Sequence, residues 1–559
     1  MRTWIRVAAV AVMCAVVSQG VVAAEFDDAP PTELIAVDGG HLDWPTMLRV
    51  LRDERVTVRL ADSARQRMHT TRQGALDSVA AGQRVYGWNQ ALGPLKDRPL
   101  EPDQQREFQR RMLRSHAAGV GPMLPPGVVR LALVLRANSM ARAAMGVRPE
   151  VVDRMLAMVE ADVLPMMPEI GSLGTGDLQP MAAAGLSMIG EHNPVLFRGK
   201  PVAASMAFRA AGLPEQFTLE SGEALPLISG GSVVTARFVE AIDRAEHDLH
   251  GFAAAFALFL EATRAEQGAF DERTHTERNL DHDIDGAGDI RSMVCGTEWM
   301  TDHGREQSGD AHPRIQDATS VRSTPHVIGG LRHSLDTARD IALREANAST
   351  SNPLIFEKDG GGYEFVMGGN WAVTRIGAQI DALNAQIANL AILSEGLSGR
   401  LLEPKWSYGV PANLAGGEIG LNSGMVQAQT VAAALIPEIQ VRAHPASTMS
   451  RPVKGGQEDL NTMAMASMRN LADNLDRLDI VLGVQILMGA QAVDLMRERM
   501  GELRLGSGTE AVHAVVRQRI PMLHDDRYLS PDVDAAIALV REDAFTPAFR
   551  AADETRCAA

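Results

Sequence analysis

Three side chains that can move protons or hold carboxylates lie in or beside short loops of this sequence. Tyr86 lies in the stretch 85–94, which contains two glycines. His116 lies near the end of a helical pattern over 103–118, and Arg322 follows a polar stretch. A tyrosine or a histidine can exchange a proton with a substrate, and the planar guanidinium of an arginine can hold a carboxylate by two hydrogen bonds. Each residue type also has a common structural role, so the neighbouring residues must decide between the two.

Another stretch, 171–180, separates two helical patterns. It contains three glycines and Pro180 around Thr175. Glycine admits backbone conformations that other residues resist, so this composition predicts a tight loop. We expect a long helix after Asp177, with its first backbone N–H groups pointing at the loop. The sequence therefore predicts a loop beside a helix N-terminus, which is a favourable place for a site.

The elements that must position these loops are mainly helical. Aromatic residues make up only 4% of the chain, and the abundance of straight-chain residues favours helix over sheet. Apolar residues recur every three or four positions along several stretches, as in amphipathic helices. The pattern predicts a short strand over 56–60, helices over 63–81, 103–118, 128–145, 225–262 and 463–500, a helix starting at Pro149, and a helix carrying Ile376, Ile380, Leu383, Ile387, Leu390 and Leu393 on one face.

The charge and the N-terminus limit the function classes. The 559-residue chain has a net charge of −16, which argues against a nucleic-acid partner. Residues 1–24 combine Arg2 and Arg6 with an apolar run over 7–17 and small residues before Glu25, the pattern of a cleaved signal peptide. We therefore expect a periplasmic or secreted protein whose charge moves to −18 after cleavage. No later run is expected to be long and apolar enough for a transmembrane helix.

The cysteines and histidines give weaker signals. Cys14 lies within the signal, which leaves Cys295 and Cys557 free to pair in an oxidising compartment. The histidines and aspartates around His275 and His282 favour a solvated loop over a metal site, and we predict no metal centre.

Taken in order, the motifs resemble the histidine/phenylalanine/tyrosine ammonia-lyase family, the aromatic amino acid lyases. Residues 171–178 resemble the family's Gly-Ser-x-Gly-Ala-Ser-Gly-Asp-Leu, with one residue fewer and Thr175 in place of Ser. Residues 86–93 resemble Tyr-Gly-Val-Asn-Thr-Gly-Phe-Gly, and 115–119 match the Ser-His-Ala-Ala-Gly of the histidase branch. Further similar motifs lie at 227–231, 270–275, 316–322, 347–354, 368–371, 444–447 and 457–459.

The resemblance implies roles for the matched residues. Tyr86 would carry the proton chemistry and Arg322 would hold the substrate carboxylate. His116 and Glu438 would face an imidazole ring, which points to a histidase-type substrate. The remaining implied substrate-binding residues are Ser229, Gln316, Thr319, Asn352 and Trp371.

The resemblance also implies an architecture. It is a mainly α fold, with a small N-terminal α+β part (25–143) that carries the Tyr86 loop and a long helical bundle (144–559) that carries the Gly171 loop. It further implies a homotetramer with sites shared between subunits, a small amino-acid or betaine substrate, and no external cofactor. In the family, the Ala-Ser-Gly tripeptide cyclises to methylidene-imidazolone, a built-in electrophile. The corresponding residues here are Gly174, Thr175 and Gly176.

The departures from the family leave three interpretations open. Thr175, Ser229 and Thr319 all replace residues on the amine side of the site. In the first interpretation Thr175 still cyclises and the protein is an unusual histidine ammonia-lyase. In the second no electrophile forms, and the substrate carries its own leaving group, as an N-methylated histidine such as ergothioneine does. In the third the protein is an exported binder of a small ligand without turnover.

Overall fold

The computed structural model describes residues 34–52, 56–191, 194–310 and 314–554, and backbone alone for 553–554. The predicted signal peptide, Cys14 and Cys557 lie outside these residues. The N-terminal part mixes short strands with helices, as predicted. Its elements are β1 (Leu34–Val37), α1 (Trp44–Arg52), β2 (Thr57–Leu60), α2 (Asp62–Ala80), α3 (Gln104–His116), β3 (Val120–Met123) and α4 (Pro126–Ala141). Strands β1 and β2 are parallel, with Leu34 opposite Thr57, and Val58 and Leu60 of β2 are buried.

The middle of the chain carries short elements around the 171–180 loop and then a long helix. They are α5 (Pro149–Glu160), β4 (Val163–Pro165), β5 (Pro168–Ile170), α6 (Leu178–Met188), β6 (Pro194–Phe197), β7 (Lys200–Ala203), α7 (Ala204–Ala210), α8 (Ala224–Ile228) and α9 (Ser232–Thr263). Strand β5 pairs antiparallel with β3, and β4, β6 and β7 form an antiparallel sheet. Helix α6 is only 11 residues long, so the long helix predicted after Asp177 is wrong.

The rest of the described chain is a helical bundle interrupted by one hairpin. The elements are α10 (Glu272–Arg278), α11 (Asp281–Met293), α12 (Asp302–Ser308), α13 (Thr319–Arg322), α14 (Thr324–Ala346), β8 (Leu354–Glu357), β9 (Tyr363–Val366), α15 (Thr374–Leu401), α16 (Val426–Arg442), α17 (Ala464–Met500), α18 (Ser507–Arg519), α19 (Ser530–Arg541) and α20 (Thr546–Glu554). This architecture confirms the predicted mainly α class.

Three long helices, α9, α15 and α17, form the centre of the bundle. The apolar stripe predicted along α15 is buried from Ile376 to Leu390, which is the face that a 3.6-residue period would place together. Helices α9 and α17 are buried on most sides, because each packs among several neighbours. By length and composition, Ala224–Thr263 and Ala464–Met500 resemble membrane spans. In the most apolar 18-residue stretch of each, 89% and 83% are buried inside the protein. The expectation that no such run exists was therefore wrong, although this burial is what core helices show.

One buried cluster joins the two predicted parts. Val58 and Met68 from the N-terminal part and Phe252 and Leu482 from the long helices belong to the same apolar core. The division at residue 143 stays a prediction.

Candidate active site

The 171–180 loop is held against the start of α9 by one buried carboxylate. Asp177 accepts hydrogen bonds from the Ser172 hydroxyl at 2.8 Å and from the backbone N–H groups of Val233 at 2.8 Å and Val234 at 3.1 Å. These N–H groups belong to the first turn of α9, which has no internal partner for them. Burial raises the pKa of Asp177 to about 6, although its hydrogen bonds act in the opposite direction. Asp177 therefore ties Ser172, near the start of the loop, to the first turn of α9.

Within this loop, Gly174 has a backbone that an alanine would not tolerate. Its φ is +77°, and a β-carbon placed on it would lie 1.9 Å from the Thr462 hydroxyl oxygen. The Thr462 hydroxyl is itself engaged, since it donates to the Leu173 carbonyl oxygen at 3.3 Å. The space and the conformation therefore both require glycine at this position.

Thr175 lies at the floor of a cavity of about 610 Å³. Six of the residues predicted from the sequence line this cavity together: Tyr86, His116, Thr175, Ser229, Asn352 and Trp371. They come from the 85–94 loop, the end of α3, the 171–180 loop, the α8–α9 turn and the segments around the β8–β9 hairpin. A single chain thus brings separate motifs to one concave site, as small-molecule sites require.

Tyr86 and His116 face this cavity with defined hydrogen-bond partners. The Tyr86 phenol oxygen accepts from the Gly93 backbone N–H at 2.9 Å, and burial raises the pKa of this phenol. The His116 Nδ1 lies 2.9 Å from the Met112 carbonyl oxygen, an atom that can only accept, so Nδ1 carries the proton. Burial lowers the pKa of His116. The lowered pKa favours the neutral ring, whose Nε2 is then an acceptor.

Glu458 and Lys454 are two of the charged residues on the cavity wall that were absent from the predicted site. The Glu458 carboxylate accepts from the Thr175 hydroxyl at 3.3 Å and from the Lys454 ammonium at 2.5 Å. Glu458 belongs to the Gln-Glu-Asp motif at 457–459, so a sequence signal for it existed. Lys454 lies outside every motif, and the sequence contains no signal for it.

Four predicted residues lie elsewhere on this chain. Arg322 is exposed on α13, where its Nε donates to the Asp317 carbonyl oxygen at 2.8 Å. Glu438 is exposed on α16 and accepts from the Arg477 Nε at 2.9 Å. Gln316 and Thr319 are also exposed. These four side chains therefore take no part in the cavity of their own chain.

Comparison with known proteins assigns the chain that forms this cavity to a family. The model of the aromatic amino acid lyase family matches residues 42–518. The chain belongs to that family. It is 36% identical to a histidine ammonia-lyase of Sorangium cellulosum over 502 residues, which cover 89% of this chain and 95% of that protein.

Solved structures agree on the fold. The structure of histidine ammonia-lyase from Trypanosoma cruzi superposes with a TM-score of 0.82 at 29% identity and covers 93% of this chain and 96% of its own. An ergothionase from Treponema denticola, an ergothioneine-degrading enzyme, superposes with a TM-score of 0.85 and covers 92% of this chain and 99% of its own. Its identity is 23%, so that likeness concerns the fold alone. The aromatic amino acid lyase described here is a carbon–nitrogen lyase near the histidase branch.

The residues of the Gly174 loop do not fit the electrophile that such lyases build from Ala-Ser-Gly. Gly174 occupies the alanine position in a conformation and a space that exclude a β-carbon. Thr175 adds a methyl group to the residue that would lose its hydroxyl, and that hydroxyl is bonded to Glu458. The reaction of this chain is therefore considered without methylidene-imidazolone.

Proposed function

We propose that this lyase eliminates an amine from an imidazole-bearing amino acid whose amine leaves without an electrophile. An N-methylated histidine is such a substrate, because a trimethylammonium group is permanently positive and leaves as neutral trimethylamine. The product is a urocanate-type acrylate. The observation that carries this proposal is the convergence of Tyr86, His116 and Glu458 on one cavity whose loop does not fit the electrophile.

In this proposal the ring is held by two acceptors. The neutral His116 offers its Nε2, and Glu458 offers a carboxylate oxygen, to the N–H groups of the ring. Glu458 thus takes the part that the family resemblance assigned to Glu438. Trp371 and Asn352 add an apolar and a polar surface to the same wall.

Tyr86 is the proposed base. Its phenolate oxygen takes the proton from the carbon beside the ring, the electrons of that C–H bond form the C=C double bond, and the C–N bond breaks with both electrons leaving on the amine. The Gly93 N–H that points at the Tyr86 oxygen stabilises the phenolate. Burial opposes ionisation of this phenol, so turnover should rise with pH until the phenol has ionised.

We further propose a homotetramer in which Gln316, Thr319 and Arg322 of one chain serve the cavity of another. All three side chains are exposed on the isolated chain. Helix α16 also supports assembly, since only Ala428, Ala432 and Ile439 are buried along its 17 residues. Exposed Val431 and Val441 on this helix offer apolar surface to a partner.

Export is proposed from the N-terminal pattern, with support from one bond. Cys295 is disulfide-bonded in the structure, and disulfides persist in oxidising compartments such as the periplasm. The pairing of Cys295 with Cys557 stays a prediction. A mature chain that begins at Glu25 would support export, whereas a retained N-terminus in the purified protein would contradict it.

Amine release from a panel of substrates tests the function. The wild-type enzyme is incubated with histidine, histidine trimethylbetaine and ergothioneine, and ammonia, trimethylamine and the conjugated acrylate are measured. We expect trimethylamine and acrylate in equal amounts from a betaine, and little ammonia from histidine. Ammonia from histidine, with no trimethylamine from either betaine, would contradict the proposal. The Tyr86→Phe variant controls for release that does not depend on the site.

A further inference from the structure

Lys454 is held in a conformation that a lysine rarely adopts. Its φ is +52°, and Gly455 and Gly456 follow with φ of +62° and +86°. A left-handed backbone costs a non-glycine residue on the order of 1–2 kcal/mol, and such residues persist where the surrounding structure fixes them. Here the Val453 N–H donates to the Glu458 carbonyl oxygen at 2.9 Å and closes the loop. The closed loop places the lysine on the cavity wall.

The Lys454 side chain points to the same carboxylate that receives Thr175. The ammonium nitrogen lies 2.5 Å from Glu458 Oε1, and the Thr175 hydroxyl lies 3.3 Å from Glu458 Oε2. The side chains of Lys454 and Glu458 are only 31% and 18% exposed. A solvent-exposed ion pair would contribute little to stability and would not require a strained backbone. The placement of Lys454 therefore calls for another reason.

The pair presents a donor and an acceptor side by side. The ammonium carries three N–H donors, of which one reaches Glu458, and the carboxylate retains free lone pairs. Such an edge is complementary to a group with an N–H and an acceptor atom bonded to the same carbon. An imidazole with a thione or carbonyl at C2 has this arrangement, whereas plain imidazole has only a C–H at that position.

The acceptors on the cavity wall also favour a ring with a thione or carbonyl at C2. A 2-thione or 2-oxo ring has two N–H donors, and His116 Nε2 and Glu458 are two acceptors on the cavity wall that could receive them. A neutral plain imidazole has only one N–H and would leave one acceptor unpaired. A doubly protonated imidazolium would have two, but its positive charge would face the Lys454 ammonium.

We propose that Lys454 is a specificity-determining residue that selects substrates whose imidazole ring carries a thione or carbonyl at C2. Its ammonium donates to that sulfur or oxygen while Glu458 accepts from the neighbouring ring N–H. The inference rests on the proposed function, because it assumes that the ring of the substrate occupies this cavity.

The test compares two trimethylated betaines that differ only at C2. The value of kcat/KM is measured for ergothioneine, which has the thione, and for histidine trimethylbetaine, which lacks it, with wild type, Lys454→Met and Lys454→Gly. The glycine variant removes the side chain without the backbone strain, so it guards against a folding defect in Lys454→Met. Lys96→Met is the matched control. Lys96 also lines the cavity, but its ammonium donates to the side-chain oxygen Oε1 of Gln457 at 2.7 Å.

The account predicts that wild type prefers the thione and that both Lys454 variants lose about 10- to 100-fold on ergothioneine, the usual value of a hydrogen bond to a charged group. Their loss of kcat/KM on histidine trimethylbetaine should be at least tenfold smaller than on ergothioneine, and Lys96→Met should leave the preference within twofold. An equal loss on both betaines, or no loss on either, would overturn the role of Lys454.

A binding measurement separates this inference from the proposed function. If wild type releases trimethylamine from neither betaine, the proposed function fails. Calorimetric measurement of the binding of imidazole-2-thione and of imidazole then still tests whether the Lys454–Glu458 pair selects the thione. Preferential binding of the thione that disappears in Lys454→Gly would support the inference, and equal binding of the two rings would overturn it.

Discussion

The predicted site residues divide into two regions that behave differently in the folded chain. Tyr86, His116 and Thr175 come from distant parts of the sequence and meet in one cavity. Gln316 and Arg322 come from one short stretch, 316–322, and lie exposed on the surface of the same chain. The hydrogen bonds described for the first region are made within one chain. The second region has no cavity of its own.

One chain therefore builds the cavity that is proposed to bind the ring and to take the proton. The carboxylate of the substrate has no predicted partner there, because Arg322 lies elsewhere. The guanidinium of Arg322 has only the Asp317 carbonyl oxygen as a described hydrogen-bond partner. Variants in the two regions should therefore differ in their effects.

Removal of the proposed base should have the largest effect. Tyr86→Phe keeps the ring and removes the oxygen, so we expect kcat to fall by about 10²- to 10⁴-fold, the usual contribution of a positioned acid or base, with KM little changed. Steady-state kinetics on a betaine substrate measure both constants. Full activity in this variant would remove Tyr86 from the chemistry.

The shared site can be tested by mixing two inactive variants. Arg322→Ala should raise KM strongly, because it leaves a carboxylate unpaired in a closed site, and Tyr86→Phe should lower kcat. If one chain supplies Tyr86 and another supplies Arg322, unfolding and refolding the two variants together should restore at least tenfold more activity than either alone. Each variant refolded by itself is the control. No gain on mixing would place both residues in the site of the same chain.

Two glutamates offer a matched pair that contrasts the two regions. Glu458→Gln removes a charge from the cavity wall beside Thr175 and Lys454, and we expect kcat/KM to fall by about 10- to 100-fold, as for other hydrogen bonds to charged groups. Glu438→Gln changes an exposed residue that is paired with Arg477, and we expect less than a threefold change. The reverse order would return the ring-binding role to Glu438.

The smallest expected effect is on the pH dependence of the free energy of unfolding, through the buried Glu345. Burial raises the pKa of Glu345 from its ordinary 4.5 to about 7, with Asp177 nearby. Between these values the folded state binds more protons than the unfolded state, so the free energy of unfolding falls as pH rises. Below about 4.5 both states are protonated, and above about 7 both are ionised, so the loss is confined to that window.

Glu345→Gln removes this titration. The variant's Tm should therefore decrease less between pH 5 and pH 8 than that of wild type. A Tm difference between variant and wild type that is constant with pH would contradict the raised pKa of Glu345.

Much of this architecture could be predicted from the sequence, because periodicity is a local property. The stripe from Ile376 to Leu390 predicted α15, and the Met- and Leu-rich pattern predicted α17 over 463–500, against Ala464–Met500 in the structure. The loop around Thr175 was also predicted, since glycine and proline act locally. The length of α6 was predicted wrongly, although the apolar residues after Asp177 end at Ile189, next to the helix end at Met188, and Gly190 follows.

The site was harder to predict because it depends on placement across the chain. Glu438 and Glu458 lie in similar motif-bearing stretches, and only the structure shows that Glu458 reaches Thr175. Lys454 carried no signal at all, since the left-handed backbone that aims it at the cavity is a consequence of the closed loop at 453–458. The surface position of Arg322 could not be inferred from its motif either, because a motif does not state which subunit it serves.

The central claim is that the lyase works without an electrophile made from Gly174, Thr175 and Gly176. The most direct test is the mass of the peptide that contains Thr175, taken from purified enzyme that is actively releasing trimethylamine. The account predicts the unmodified mass of that peptide. A deficit of two waters in the active enzyme would show that the tripeptide has cyclised and would contradict the claim.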